Sequence, residues 1–145
     1  MTLHNCKRLE GQVAIVTGAA QGLGEALAKR LDYEGCKVVV ADINMEKAEK
    51  VASELSDAVA VKVDVTNEEQ VENMVKLAVV KYGKLDLMVS NAGILIAKPV
   101  VEFTVEEWRK VIDINLIGYF LCARAAARVM IPRRKGNIIQ INSKS

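Results

Sequence analysis

The run Thr17-Gly18-Ala19-Ala20-Gln21-Gly22-Leu23-Gly24 follows the apolar stretch Val13-Ala14-Ile15-Val16 and precedes a segment of helical periodicity. Glycines placed between a strand and a helix let backbone N–H groups approach a phosphate and aim the positive end of the helix dipole at it. A side chain at Gly18 or Gly22 is expected to hold that phosphate away, and Gly24 is expected to let helix and sheet pack closely. A second apolar run, Lys37-Val38-Val39-Val40-Ala41, ends in Asp42, near the ~20-residue separation that the fingerprint requires. A carboxylate there accepts hydrogen bonds from both ribose hydroxyls and repels a 2′-phosphate. The segment therefore reads as a site for the pyrophosphate and ribose of a dinucleotide, with the choice leaning to NAD. The plainer reading of Asp42 is a turn aspartate capping a helix that starts at Asn44 or Met45.

Strand-like and helix-like patterns alternate from Gln12 to Asn142 without a linker or repeat, which indicates βαβ units. Leu23, Ala26, Leu27 and Leu31 give the first helix an apolar face, and Gly35 stops it. Met45, Ala48, Val51, Ala52 and Leu55 do the same for a second helix, before a third strand at residues 59–63. Thr66-x-x-Glu69 reads as a capping box, and Val71, Met74, Val75, Ala78 and Tyr82 line the third helix. A fourth strand is expected at 85–90 and a fifth at 137–142. Between them Thr104-x-x-Glu107 caps a helical stretch that reaches to about Met130. Right-handed crossovers place the strands in the order 3-2-1-4-5, a Rossmann-type doubly wound parallel α/β sheet. Asp64-Val65 and Asn91-Ala92-Gly93 then fall on the same edge as the glycine turn.

The 145 residues, 51% of them hydrophobic, suit one dinucleotide-binding domain over 1–145 and no second. A net charge of +2 gives no broad pull toward nucleic acid or anionic lipid. Arg133-Arg134-Lys135 fits a position just past a helix C-terminus. Cys6, Cys36 and Cys122 form no C-x-x-C pair, so neither a disulfide framework nor a zinc site is indicated. His4 is the single histidine, which leaves no His-based triad and no metal site. No stretch has the length of a membrane span, and a cytoplasmic location is expected.

With these residues in place, the chain resembles the classical short-chain dehydrogenase/reductase family from about Leu9 to Ser145. The resemblance rests on the turn from Thr17 to Gly24, Asp64-Val65, Asn91-Ala92-Gly93, Asn115-Leu116-Ile117-Gly118 and Gly136-Asn137-Ile138-Ile139-Gln140-Ile141-Asn142-Ser143. It implies an NAD cofactor held by Gly18, Gln21, Gly22, Leu23, Gly24, Asp42 and Ile43. Asp64 and Val65 would contact the adenine ring, and Asn91, Ala92 and Gly93 would stabilise the strand end beneath the cofactor. Asn115 would hold a proton-relay water, and Ser143 would hydrogen-bond the reacting alcohol or ketone oxygen. Read without the resemblance, Ser143 is an ordinary strand-end serine, and Asn115 a buried asparagine that satisfies a backbone carbonyl. Ser90 and Asn142 depart from the family, which often has asparagine and serine there. The runs Gly118-Tyr119-Phe120-Leu121-Cys122-Ala123-Arg124 and Gln140-Ile141-Asn142-Ser143-Lys144-Ser145 look most like sorbitol-6-phosphate dehydrogenases within the family, which implies a polyol or sugar phosphate substrate. A homo-oligomer is implied for the full-length form.

The family's general acid is a tyrosine assisted by a lysine four residues on. Bringing a tyrosine from a pKa of ~10 toward ~7 takes about 4 kcal/mol of electrostatic help. Tyr33-x-x-x-Lys37 has the spacing but straddles a helix end and Gly35, while Tyr82 and Tyr119 have Asp86 and Ala123 at the lysine position. The chain is therefore expected to be the N-terminal portion of a longer dehydrogenase, truncated after strand 5 and inactive alone, with aggregation or dependence on a partner. The rival is a non-catalytic NAD-binding module or structural subunit. An NADP-linked ketoacyl reductase would need a basic residue near Gln21 or after Asp42, and the sequence is read as having none there.

Overall fold

A computed structural model describes residues 7–142; His4, Cys6 and Ser143, on which sequence expectations fell, lie outside the described residues. Five strands, β1 (Val13–Thr17), β2 (Lys37–Asp42), β3 (Ala58–Lys62), β4 (Leu87–Ser90) and β5 (Asn137–Gln140), form one sheet in the order β3-β2-β1-β4-β5. Every neighbouring pair is parallel. This is the expected Rossmann-type topology, reversing direction between β1 and β4. The helices are α1 (Gly22–Tyr33), α2 (Met45–Ser53), α3 (Glu68–Tyr82), α4 (Val105–Ile112) and α5 (Gly118–Met130).

The two-sided burial that makes β1 an unbroken apolar run is explicit in the cores. Val13 and Ile15 pack with residues of α3 and α5, while Ala14 and Val16 pack with residues of α1 and α2. A strand whose alternate side chains feed two cores has no solvent face and needs no polar alternation. Asp86, just before β4, accepts from Val13 N at 2.9 Å and pairs with Lys84 at 2.9 Å and Arg133 at 3.1 Å. Arg133, expected only as a cation beyond a helix, thus ties the end of α5 to the start of two strands.

Three local expectations are corrected. In α1 the buried residues are Gly24 and Ala28, with Leu27 and Leu31 partly buried, whereas Leu23 is 57% exposed and Ala26 is exposed. Leu23 turns instead toward the cavities at the sheet edge. The Thr66-x-x-Glu69 capping box does not form: the Asn67 side chain accepts from Gln70 N, and Thr66 donates to Asp64 Oδ1 through both its N–H at 2.9 Å and its hydroxyl at 2.7 Å. The Thr104–Glu107 box does form, but its helix is not one uniform stretch, because Asp113–Ile117 adopts a π-helical turn between α4 and α5.

Candidate functional site

The first cavity, of about 380 Å³, opens at the C-terminal ends of β1, β2 and β4 and beside the residues just after β3. It is lined by Gly18, Gln21, Gly22, Leu23, Gly24, Asp42, Ile43, Asp64, Val65, Asn91, Ala92 and Gly93. These are all the residues that the sequence assigned to cofactor binding, and Val63, Ile94 and Ile114 complete the lining. Strand order explains the convergence, since ligands of open α/β sheets lie outside the strand ends where the topology reverses.

The glycine turn is held from below. Asn91 Nδ2 donates to Thr17 O at 3.1 Å and to Gly18 O at 3.2 Å, while Asn91 N and Ala92 N both donate to Thr17 Oγ1 at 3.1 Å. Gly18 (φ +63°) and Gly22 (φ +57°) need left-handed backbone, but they face different ways. A Cβ on Gly18 would lie 2.9 Å from Ala92 Cα, so this glycine also lets the turn pack closely on the segment that follows β4. A Cβ on Gly22 would meet nothing within 4 Å. Gly22 lines the cavity at the start of α1, where bare backbone suits a phosphate. Gly24 behaves as expected: its Cβ would fall 2.1 Å from Gly18 O.

Asp42 accepts from Ala20 N on Oδ2 at 3.0 Å and from Asn44 N on Oδ1 at 2.9 Å. The turn contact of the plainer reading is therefore real, yet Asn44 itself caps α2, through Lys47 N at 3.0 Å. Each carboxylate oxygen keeps further acceptor capacity toward the cavity. Asp64 Oδ1 is occupied by Thr66, and Gln70 Oε1 accepts from Asp64 N at 2.8 Å. One basic residue escaped the sequence reading. Lys47 Nζ donates to Gln21 Oε1 at 3.0 Å, so a cation does stand beside Gln21, returned there by the first turn of α2.

A second cavity, of about 590 Å³, adjoins the first through Leu23, Asn91, Ala92, Gly93 and Ile94. Its polar lining includes Asn115, Tyr119, Gln140 and Asn142, and its apolar wall Leu95, Ile96, Phe103, Trp108 and Val111. Asn115 lies in the π-helical turn. Its Oδ1 accepts from Ile94 N at 2.9 Å and its Nδ2 donates to Ile94 O at 2.8 Å. Asn115 is half-buried, not buried as the plainer reading had it, and both of its side-chain polar atoms bond the Ile94 backbone. The Asn115 carbonyl accepts from Gln140 Nε2 at 3.4 Å, a long bond.

Lys37 and Lys81 both stand against the Tyr82 ring, but the Tyr82 hydroxyl is bonded to Asp57 and not to a lysine. Lys37 Nζ lies 5.4 Å from the ring of Tyr82 and not against Tyr33, whose ring carries Arg30 at 5.4 Å. Burial, together with the bond to Asp57, pushes the Tyr82 phenol above its usual range, opposite to what proton transfer near neutral pH requires.

The chain belongs to the short chain dehydrogenase family, whose profile matches residues 12–145. It is 46% identical over 139 residues to a mitochondrial borneol dehydrogenase of Lavandula x intermedia, covering 94% of this chain and 53% of that protein. It is 44% identical over 145 residues to secoisolariciresinol dehydrogenase of Forsythia intermedia, covering 96% and 52%. An uncharacterized oxidoreductase of Thermotoga maritima is 42% identical over 139 residues, covering 93% and 54%. The chain thus spans about half the length of these curated relatives. No helix among the described residues is long and apolar enough to cross a membrane.

Proposed function

We propose that these residues form the cofactor-binding part of an NAD-dependent oxidoreductase that transfers hydride between a nicotinamide and a secondary alcohol or ketone. The observation that carries the reading is that one cavity, the first, gathers the Gly22 backbone, the Asp42 carboxylate and the Asp64 and Asn91 segments. When bound, the dinucleotide supplies the hydride acceptor or donor. The chain's own residues bind and orient it: the start of α1 receives the pyrophosphate, and Asp42, aimed by Ala20 N and Asn44 N, receives the ribose hydroxyls.

The second cavity is the candidate for the substrate. Asn115 fixes the segment at Ile94 that separates the two spaces, and Ser143 is assigned to the reacting oxygen on the family resemblance. A polyol or its phosphate is the proposed substrate, supported by the resemblance of the segments at Gly118 and Gln140 and by the neutral hydrogen-bonding groups of Tyr119, Gln140 and Asn142. The wall of Phe103, Trp108 and Val111 favours a second reading, a bulky apolar alcohol such as the one named in the borneol dehydrogenase.

Titration of the protein with NADH tests the cofactor site, and absence of saturable binding refutes it. The substrate readings separate by comparing NAD reduction with sorbitol 6-phosphate, sorbitol and borneol in the full-length protein. Turnover of borneol alone would replace the polyol reading with the second one.

A further inference from the structure

Residues 94–98, between β4 and α4, belong to no helix or strand, and their burial alternates as in an extended chain: Ile94, Ile96 and Lys98 are partly buried, Leu95 and Ala97 exposed. Side chains of other segments fasten this stretch at both ends. At the inner end, Asn115 takes both backbone groups of Ile94. At the outer end, Lys98 Nζ lies 2.7 Å from Glu107 Oε1 and 2.6 Å from Glu107 Oε2. Between the two fastenings, Ile94, Leu95 and Ile96 line the second cavity together with Phe103, Trp108 and Val111.

Glu107 is itself a fixed point. Its Oε2 accepts from Thr104 N at 3.0 Å and its N–H donates to Thr104 Oγ1 at 3.1 Å, in the capping box that starts α4. The Lys98 ammonium and the Thr104 N–H hold its carboxyl below the ordinary range, so Glu107 is ionised at neutral pH. Both partners are partly buried, so salt screens their attraction less than at an open surface. Lys98 Nζ also lies 5.5 Å from the centroid of the Phe103 ring, and Phe103 meets Trp108 edge-on at 5.8 Å between centroids. One lysine thus joins an irregular segment to a helix start and to the aromatic wall of the same cavity. We infer that Lys98 is a positioning residue: its grip on Glu107 holds residues 94–98 as a strap against the apolar wall of the second cavity and sets the size of alcohol admitted there. The inference rests on the reading of the second cavity as the substrate site and names what limits it.

Trp108 is the single tryptophan of the chain, so its emission reports probes that enter the second cavity. Cyclohexanol, a single ring, and adamantanol, a bulky cage, are titrated against the protein and against Lys98→Met, Lys98→Arg and Glu107→Gln. Glu107→Gln keeps an oxygen for the Thr104 N–H, so α4 retains its cap, and circular dichroism checks the fold of each variant. With the strap released in Lys98→Met and Glu107→Gln, adamantanol is expected to gain about three- to tenfold in affinity relative to cyclohexanol, while Lys98→Arg keeps the parent's ratio. Backbone amide order parameters over residues 95–98 are expected to fall below about 0.6 in the first two variants while those of α3 stay near about 0.85. A ratio indifferent to Lys98→Met, a shifted ratio with unchanged order parameters, or an equal shift in Lys98→Arg overturns the role of Lys98 and leaves the substrate site standing. Trp108 emission that neither alcohol moves, in the protein or its variants, overturns both.

Discussion

Gly22 and Gly24 stand in one turn and are glycine for different reasons, so their alanine variants should fail differently. Gly22→Ala forces a methyl-bearing residue to φ +57° at a position that lines the first cavity, with no atom within 4 Å of the methyl. It should cost about 1–2 kcal/mol of stability and still fold, while losing most NADH affinity. Gly24→Ala would drive its Cβ to 2.1 Å from Gly18 O and 2.6 Å from Asn91 Nδ2. Neither neighbour can retreat without opening the turn from β4, so about 3 kcal/mol or more should be lost. Urea denaturation combined with NADH titration distinguishes the two; equal stability of both variants would contradict the packing assigned to Gly24. Asp42→Asn keeps the shape and removes the charge, and should raise the affinity ratio of NADPH to NADH by about tenfold. An unchanged ratio would mean that Asp42 acts only as the turn residue bonded to Asn44.

At the scale of elements, the π-helical turn Asp113–Ile117 shapes the wall of the second cavity and positions Asn115 across from Ile94. Asn115→Ala removes both bonds to the Ile94 backbone and should cost about 1–2 kcal/mol. It should also loosen the segment shared by both cavities, and faster amide exchange at Ile94 is the readout; protection equal to the parent's would remove this role. Local devices were legible in the sequence and tertiary ones were not. Thr104-x-x-Glu107 forms its box because every partner lies within one turn. Thr66-x-x-Glu69 has the same letters and fails, because Asp64 takes the Thr66 hydroxyl and Asn67 supplies the cap. The strands followed from apolar runs, which reflect burial, and their order from right-handed crossovers, which reflect the twist of the strands. The π-helical turn depends on contacts between distant segments, among them Gly118, whose Cβ would lie 2.7 Å from Val65 Cγ2. Lys47 went unread for a related reason: it is remote from Gln21 in the chain and is brought back by a capped helix start.

For the whole molecule, Asp86 is the polar tie between the strands and the end of α5. Burial alone would raise its pKa, but Val13 N–H, Lys84 and Arg133 outweigh burial and hold the carboxyl below its ordinary value. A carboxyl depressed in the folded state adds stability that is present above its unfolded pKa of ~3.9 and lost as pH falls through the lower folded value. Melting temperature should therefore drop steeply below about pH 4, and Asp86→Ala, at a cost of about 3 kcal/mol, should flatten that part of the profile. The opposite feature of the molecule is apolar and unsatisfied. Trp108, Leu116 and Phe120 are 54%, 54% and 51% exposed, and Ile139 on the edge strand β5 is 45% exposed. An apolar helix face combined with an open strand edge favours association through that side of the sheet. The protein over residues 1–145 should show concentration-dependent self-association by light scattering, and Leu116→Lys with Phe120→Glu should reduce it because both side chains point to solvent. A monodisperse monomer at every concentration, or association indifferent to that double variant, would remove this face from the account and leave the sheet edge as the surface to test.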